Sequence, residues 1–391
     1  MTATTRLELA AVSALVATTA SAPAVCGQAA DRDSGARAVI STFSYAGELV
    51  QDAGGGARRG TVLAGAAGVQ VTLLLGRLVR WHGARLFIFA LGTHGGAPSG
   101  LVGDVQGVSN LQAPPTLRLE EAWLQQNLLE NRLSWLVGRY DVNTEFYRLQ
   151  SASLFINSSF GIGPELSQSG AGLGPSIYPS TRFGTRLDFK PSRNVVWRAA
   201  ALDGPMLLSE VALLARPDTA EQPRHRRFVV GRGRMRTYAA KLALGAWYYT
   251  GRFADLSAPT RHRGSGGAYL LGDITLRSVS AFAQLGLGDG RVNQFGGYVG
   301  AGLTVAGPIP GRAQDMVGLA VAAARNGSHF ERAASSSGIS AAGETTVELS
   351  YLAQIGSSLA VQPDVQYVIH PGATRLLSNA TVLGLRVAIS H

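Results

Sequence analysis

The stretch Phe183-Gly184-Thr185-Arg186-Leu187-Asp188-Phe189 puts Phe183, Leu187 and Phe189 on one side of an extended chain and Arg186 and Asp188 on the other. Successive side chains of a strand point to opposite faces, so this period of two predicts a strand whose two faces meet different surroundings. The pattern recurs along the chain. Between Tyr238 and Tyr249, the set Tyr238, Leu242, Leu244 and Tyr248 opposes Lys241. Val279 to Leu287 alternates with Ser280 and Gln284, and Thr345 to Ile355 sets Val347, Leu349, Tyr351 and Ile355 against Glu348, Ser350 and Gln354. The final run sets Leu383, Leu385, Val387 and Ile389 against Gly384, Arg386 and Ser390. Clusters of Gly, Pro, Ser and Asn separate these segments and read as turns. Arg118 to Arg132 is read as a strand too, although its Leu119, Ala122, Trp123 and Gln126 also fit a helical face.

Alternation does not say which face is inside. A soluble sandwich turns its apolar face inward, whereas an outer-membrane barrel turns it to lipid and lines water with the polar face. Export and size favour the barrel. Arg6, the apolar run Leu9 to Ala20 and the small residues around Ala22-Pro23-Ala24 have the layout of a secretory signal peptide, assigned to residues 1–24 with cleavage as late as about 30. Cys26 is the lone cysteine, so no intrachain disulfide forms, and Val25 stands where lipoprotein processing needs a small residue. Beyond residue 30 no run approaches the roughly 20 apolar residues of a spanning helix. At about 9–11 residues per tilted strand plus turns, residues 40–391 hold about 16 antiparallel strands. The expected fold is therefore all-β, a transmembrane outer-membrane β-barrel wide enough for a water-filled channel. Closure also pairs every strand edge, which lipid requires.

The charge balance adds a second constraint. The net charge is +10, and of the 35 Lys and Arg residues only Lys190 and Lys241 are lysines, leaving 33 arginines. Such an excess suits nucleic acid, a lipopolysaccharide-facing surface or an arginine-lined pore. The densest cluster is Arg224-His225-Arg226-Arg227 with Arg232, Arg234 and Arg236. Export argues against nucleic acid, leaving a loop on lipopolysaccharide phosphates, arginines facing the pore, or a solvated loop. No zinc signature, P-loop or nucleophile elbow appears, and Gly170 to Gly174 lacks the strand-then-helix context of a phosphate loop. No metal, cofactor or enzymatic chemistry is expected. The Gly- and Arg-rich stretch Gly54 to Gly60 offers material for a plug, which would make the barrel structural and non-conducting.

The segment Trp135-Leu136-Val137-Gly138-Arg139-Tyr140-Asp141-Val142-Asn143-Thr144-Glu145-Phe146, continuing through Ser153 to Gly161, resembles the central signature of the carbohydrate-selective porin family of OprB type. Gly103 to Asn110, Leu119-Glu120-Glu121-Ala122-Trp123, Gln362 to Ile369 and Gly384-Leu385-Arg386 resemble it as well. The resemblance implies one barrel, commonly trimeric or monomeric, with a constriction of arginines and acidic residues and a preference for monosaccharides such as glucose. It places Arg139, Asp141, Asn143 and Glu145 at or near the channel, and strand parity adds Arg186 and Asp188. An alternative role for Asp141 and Asn143 is to hold a turn that folds a loop into the barrel. A second function on the same fold is general or anion-preferring diffusion. Outer-membrane barrels usually end on an aromatic residue, whereas this chain ends Ala388-Ile389-Ser390-His391.

Overall fold

The computed structural model describes residues 37–217, 237–336 and 343–390. Its framework is a closed barrel of sixteen strands in which each is antiparallel to its chain neighbours and the first pairs with the last. In chain order the strands are β1 (Val39–Gly56), β2 (Gly60–Leu74), β3 (Ala84–Gly95), β4 (Thr116–Leu128), β5 (Leu133–Tyr140), β6 (Arg182–Ser192), β7 (Val195–Leu202) and β8 (Met206–Ala215). The second half comprises β9 (Ala240–Ala254), β10 (Arg261–Leu276), β11 (Val279–Gly288), β12 (Phe295–Ala306), β13 (Met316–Asn326), β14 (Gly343–Ile355), β15 (Leu359–Ile369) and β16 (Ser378–Ser390). No helix among the described residues is long and apolar enough to cross a membrane.

The alternation resolves in the barrel sense. On β14, Leu349 is 50% exposed and Ile355 48%, while Glu348 and Ser350 are fully buried. On β16, Leu383, Leu385 and Ile389 face outward and Arg386 is buried. The apolar set faces the surroundings and the polar set faces the interior, the inverse of a soluble core. Closure through the β1–β16 seam, where Glu48 pairs with Arg386 and Leu49 with Leu385, leaves no unpaired edge in lipid.

Arg118 to Arg132 is indeed strand through Leu128, and its helix-like spacing has a local cause. A register shift between Phe89 and Ala90 leaves an extra residue on β4, so both Glu120 and Glu121 are buried. Leu119 then faces outward with Ala122, three positions on rather than two. Gly54 to Gly60 is no plug: it ends β1, turns and begins β2. Tyr238 is not on the outer face with Leu242 and Leu244. It precedes β9, is buried, and its hydroxyl donates to Asp273 Oδ2 at 2.9 Å. The signal segment, the arginine cluster at 224–236 and His391 lie outside the described residues.

Connections at the rim that carries the start of β1 and the end of β16 include the tight turns 193–194, 277–278 and 356–358. The opposite rim carries the long connections 96–115 and 141–181, both of which turn back into the barrel. Apart from 216–239, the connections of the terminal rim are short, whereas 96–115, 141–181 and 327–342 on the other rim are long, and this balance identifies the long-loop rim as extracellular.

Candidate functional site

Backbone inside a barrel needs partners as much as backbone in a core does. The loop 141–181 finds them on the inward faces of strands far away in sequence. Glu210 of β8 accepts from the Tyr147 amide at 2.9 Å, and Asp273 of β10 accepts from the Gln150 and Ser151 amides at 2.8 and 3.2 Å. Glu348 of β14 accepts from Ile156 and Asn157 at 2.6 and 2.9 Å. Where the loop presents carbonyls, the wall supplies donors: Gln362 Nε2 reaches Leu154 O at 2.7 Å, Gln284 Nε2 reaches Phe160 O at 3.0 Å, and the Tyr298 hydroxyl reaches Ser159 O at 2.9 Å. Carboxylates that accept amide protons make charge-assisted bonds about twice as strong as neutral ones, which suits them to fasten a loop.

The connection 96–115 is laced in the same way. Glu344 accepts from Val105, Gln106 and Gly372 amides, and Glu48 accepts from Ser109 Oγ while holding Arg386 Nη2 at 2.6 Å. The two loops also bond to each other, Asn110 N to Ile156 O at 2.9 Å and Ser158 N to Gly107 O at 2.8 Å. Phe155, Phe160 and Phe282 pack with centroids 5.0 to 6.0 Å apart, so part of the interior is an apolar core between loop and wall.

The residues singled out by sequence divide into three groups. Glu145 and Arg186 come together as a bidentate pair, Nε to Oε2 at 2.7 Å and Nη2 to Oε1 at 3.0 Å, with the Tyr140 hydroxyl on Oε2 at 2.6 Å. Arg186 is fully buried and its remaining nitrogen donates to Ser134. Asp188 holds Arg198 at 2.6 Å. Asp141 and Asn143 shape the chain instead: Asp141 Oδ1 caps the following turn by accepting from Asn143 N at 2.8 Å, and Asn143 Nδ2 donates to the carbonyls of Phe146 and Gly161. Arg139 is not in the lumen. It shares the outward parity of Trp135 and Val137 on β5, is exposed, and donates to Thr181 Oγ1 at 2.9 Å. A period of two fixes this, since an odd-numbered residue of β5 cannot face inward while Leu136 and Tyr140 do.

Sequence reasoning missed Arg148, Arg198 and Lys241 as site residues. They flank a cavity of about 160 Å³ that opens beside Leu214, Ser278, Ala306 and Met316, at the rim of the chain termini. Lys241 Nζ sits 3.1 Å from Glu210 Oε1, and hydroxyls of Thr144, Ser151, Thr275 and Ser280 complete the lining. Arg198 and Lys241 were recoverable from parity, because each stands between outward residues of its strand; Arg148, on the loop, had no such signal. Deeper in the loop, Glu165 is fully buried, accepts from the Tyr147 hydroxyl at 2.9 Å, and finds no hydrogen-bond partner for Oε2 among the described residues. Burial pushes its carboxyl up to about 7.

The high-pH structure of OprB from Pseudomonas putida shares 18% identity at a TM-score of 0.78, covering 90% of this chain and 94% of that one. The low-pH structure of the same protein gives 14% identity, a TM-score of 0.57 and coverage of 90% and 93%. The outer membrane channel DcaP of Acinetobacter baumannii gives 11%, 0.56, and coverage of 90% and 97%. No curated protein sequence matches. The family model described as carbohydrate-selective porin, OprB family, matches residues 59–390. Because that match runs from the turn after β1 to the end of β16, the chain belongs to the carbohydrate-selective porin, OprB family, and is a sugar-preferring porin of the outer membrane.

Proposed function

We propose that sugars of monosaccharide size, such as glucose, cross this barrel passively along the space between the folded-in loops and the wall of β7 to β13, entering or leaving through the cavity at the terminal rim. The observation that carries this reading is the lining of that cavity: Arg148, Arg198 and Lys241 donate, while the hydroxyls of Thr144, Ser151, Thr275 and Ser280 both donate and accept. A hexose can exchange its hydration for these groups one at a time. Permeation needs contacts good enough to enter and weak enough to leave, and a partly wet mixed lining meets both needs. Glu145, Arg186 and Asp188 act as the frame of this path, and Asp141 and Asn143 aim the loop into it; neither role calls for a cofactor or covalent step.

Swelling of liposomes containing the refolded protein tests the reading, comparing glucose with larger oligosaccharides and with amino acids of similar size. Glucose entry faster than size alone dictates supports it. Entry ranked only by size reduces the protein to a general diffusion channel, and no swelling despite verified insertion points to a plugged barrel.

One observation favours a second reading, anion preference. Three cationic side chains reach the cavity against a single carboxylate, Glu145, while Asp188 and Glu210, which pair with Arg198 and Lys241, stay behind the lining. A lumen with that balance concentrates anions. Lys241→Gln should then shift the reversal potential in a salt gradient toward lower anion selectivity by a larger factor than it slows glucose.

A further inference from the structure

The charges on the strands are sorted by face. Every strand carboxylate is buried: Glu48, Asp52, Glu120, Glu121, Asp188, Glu210, Asp273, Glu344, Glu348 and Asp364. Among the described residues the most exposed charged residues of the strands are all arginine, namely Arg139, Arg252, Arg261, Arg263 and Arg325, and all five stand at strand ends on the long-loop rim, whereas Lys190, its side chain 40% exposed beside Asp188, nears the other rim. A charged side chain on the lipid face is costly near mid-membrane and nearly free at the interface, which accounts for their level but not for their single sign.

Three of them form a group. Arg252 of β9 lies directly across from Arg263 of β10, and Arg261 reaches back so that its Nη2 donates to the Arg252 carbonyl at 3.2 Å. Like charges facing each other across a strand pair are destabilising unless an anion lies between them. Among the described residues none of the three forms an ion pair with a carboxylate. The local backbone is shaped to hold this arrangement: Gly264, at φ +79°, makes the register shift after Arg263, and the Tyr248 hydroxyl occupies the space a side chain at 264 would need. Tyr248 is itself exposed, as are Phe183 and Tyr367 at the same rim, the positions of an interfacial aromatic girdle. Arg252 follows Tyr248 by four residues, about 13 Å along the strand and about 10 Å along the barrel axis at typical tilt. That is the depth of headgroups rather than of acyl chains.

We propose that the outer face of the β9–β10 hairpin is a docking site for the phosphate groups of the outer-leaflet glycolipid, with Arg252, Arg261 and Arg263 as the clamp and Arg139 and Arg325 extending a cationic collar around the rim. Guanidinium matches phosphate oxygens in a planar fork, so arginine rather than lysine fits the task. A second copy of this chain is the poorer occupant, since its strands present no exposed carboxylate to answer the arginines. The site is separate from the sugar path, on the opposite face of the wall.

The test uses the full refolded protein and the variant R252Q/R261Q/R263Q, each first shown to be folded by heat-modified gel mobility and by unchanged glucose-driven swelling. Both are titrated in neutral detergent with bisphosphorylated lipid A and with the same lipid after dephosphorylation, and bound lipid is counted by native mass spectrometry. The wild type should bind the phosphorylated form about tenfold or more tightly than the variant does, an advantage that shrinks as salt rises, and the two proteins should bind the dephosphorylated form alike. The wild-type comparison of the two lipids stands without any variant. Equal binding of both lipids by the wild type overturns the proposal, as does a variant that binds phosphorylated lipid as well as the wild type or that changes only its oligomeric state.

Discussion

The Glu145–Arg186 pair is the interaction whose removal should be felt most. In Arg186→Met the methionine fills much of the vacated tube, but Glu145 loses two charge-assisted bonds while the Tyr140 hydroxyl stays on it, and Ser134 and Gln125 lose a donor. Breaking a buried ion pair from one side costs about 3–5 kcal/mol, because the remaining charge stays desolvated and unanswered. Glu145→Gln should cost a similar amount from the other side, leaving the guanidinium buried with Ser134, Gln125 and a neutral amide. The double variant E145Q/R186M removes both charges together, so its cost should fall short of the summed single costs by about 2 kcal/mol or more. The measurement is reversible urea unfolding in phospholipid vesicles, followed by fluorescence of the wall tryptophans; Trp135 and Trp197 lie on the strands that flank β6. Conductance of single barrels gives a second readout, since Glu145 sits where the loop leaves β5 and the pair pins that limb against β6. If R186M unfolds within about 1 kcal/mol of wild type, or if the double variant is additive, the pair is not the fastening described above.

Other expectations follow from the same geometry. Glu165 has a carboxyl raised from 4.5 to about 7, so the folded state binds a proton more readily than the unfolded state. Stability should therefore fall as pH rises from about 4.5 to 7 and stay low above that, by about 3 kcal/mol at most, and Glu165→Gln should flatten this slope in urea unfolding. Gly245 faces inward where an added Cβ would lie 2.0 Å from the Tyr269 ring, so Gly245→Val must push Tyr269 off its 2.9 Å bond to Glu210 and away from Tyr147. Overpacking of this kind costs about 1–3 kcal/mol, readable by the same unfolding assay. At the extracellular rim, hydrogen bonds from His262 at 2.7 Å and His329 at 2.9 Å hold the Asp255 carboxyl well below its ordinary range. That tie between the β9–β10 connection and the helix Ser328–Ser336 should persist as pH falls to about 3.8 and release only below it, whereas Asp255→Asn should raise amide exchange in the helix at neutral pH and leave global unfolding unchanged.

Much of the barrel is written locally, because each strand carries its own sidedness. Thr345 to Ile355 needs no information from elsewhere to show that Glu348 and Leu349 face opposite ways. Parity failed only where the backbone itself departs from a period of two: at Glu120 and Glu121, where a bulge buries neighbours together, and at Tyr238, which lies before β9 begins. Arg139 is a different case. Its outward position was legible from Trp135 and Val137, and the resemblance of the surrounding motif drew attention to the residue types rather than to the face they occupy.

What the interior residues do was far less legible, since an inward polar side chain on this fold has two possible employments. It can meet solute, or it can hold a loop, and the two look alike on a strand. Ile156 and Glu348 are 192 residues apart, and Val105 and Glu344 are 239 apart; no local pattern announces which loop will descend past which strand. The balance between the employments follows from hydrogen-bond supply. A loop led through a barrel exposes an amide and a carbonyl at every residue, and each needs a partner in a space that is only partly wet. The inward carboxylates of β8, β10 and β14 are consumed by that need, each accepting from loop amides. Cations cannot accept from those amides; Lys241 and Arg198 reach the loop only through carbonyls, Arg148 O at 2.9 Å and Glu145 O at 3.4 Å, pair with leftover carboxylate oxygens, and still border the cavity. An excess of inward acids is thus compatible with a passage lined by cations, and the sign of the charge that a permeating solute meets is set by what the loops leave over rather than by the net composition of the wall.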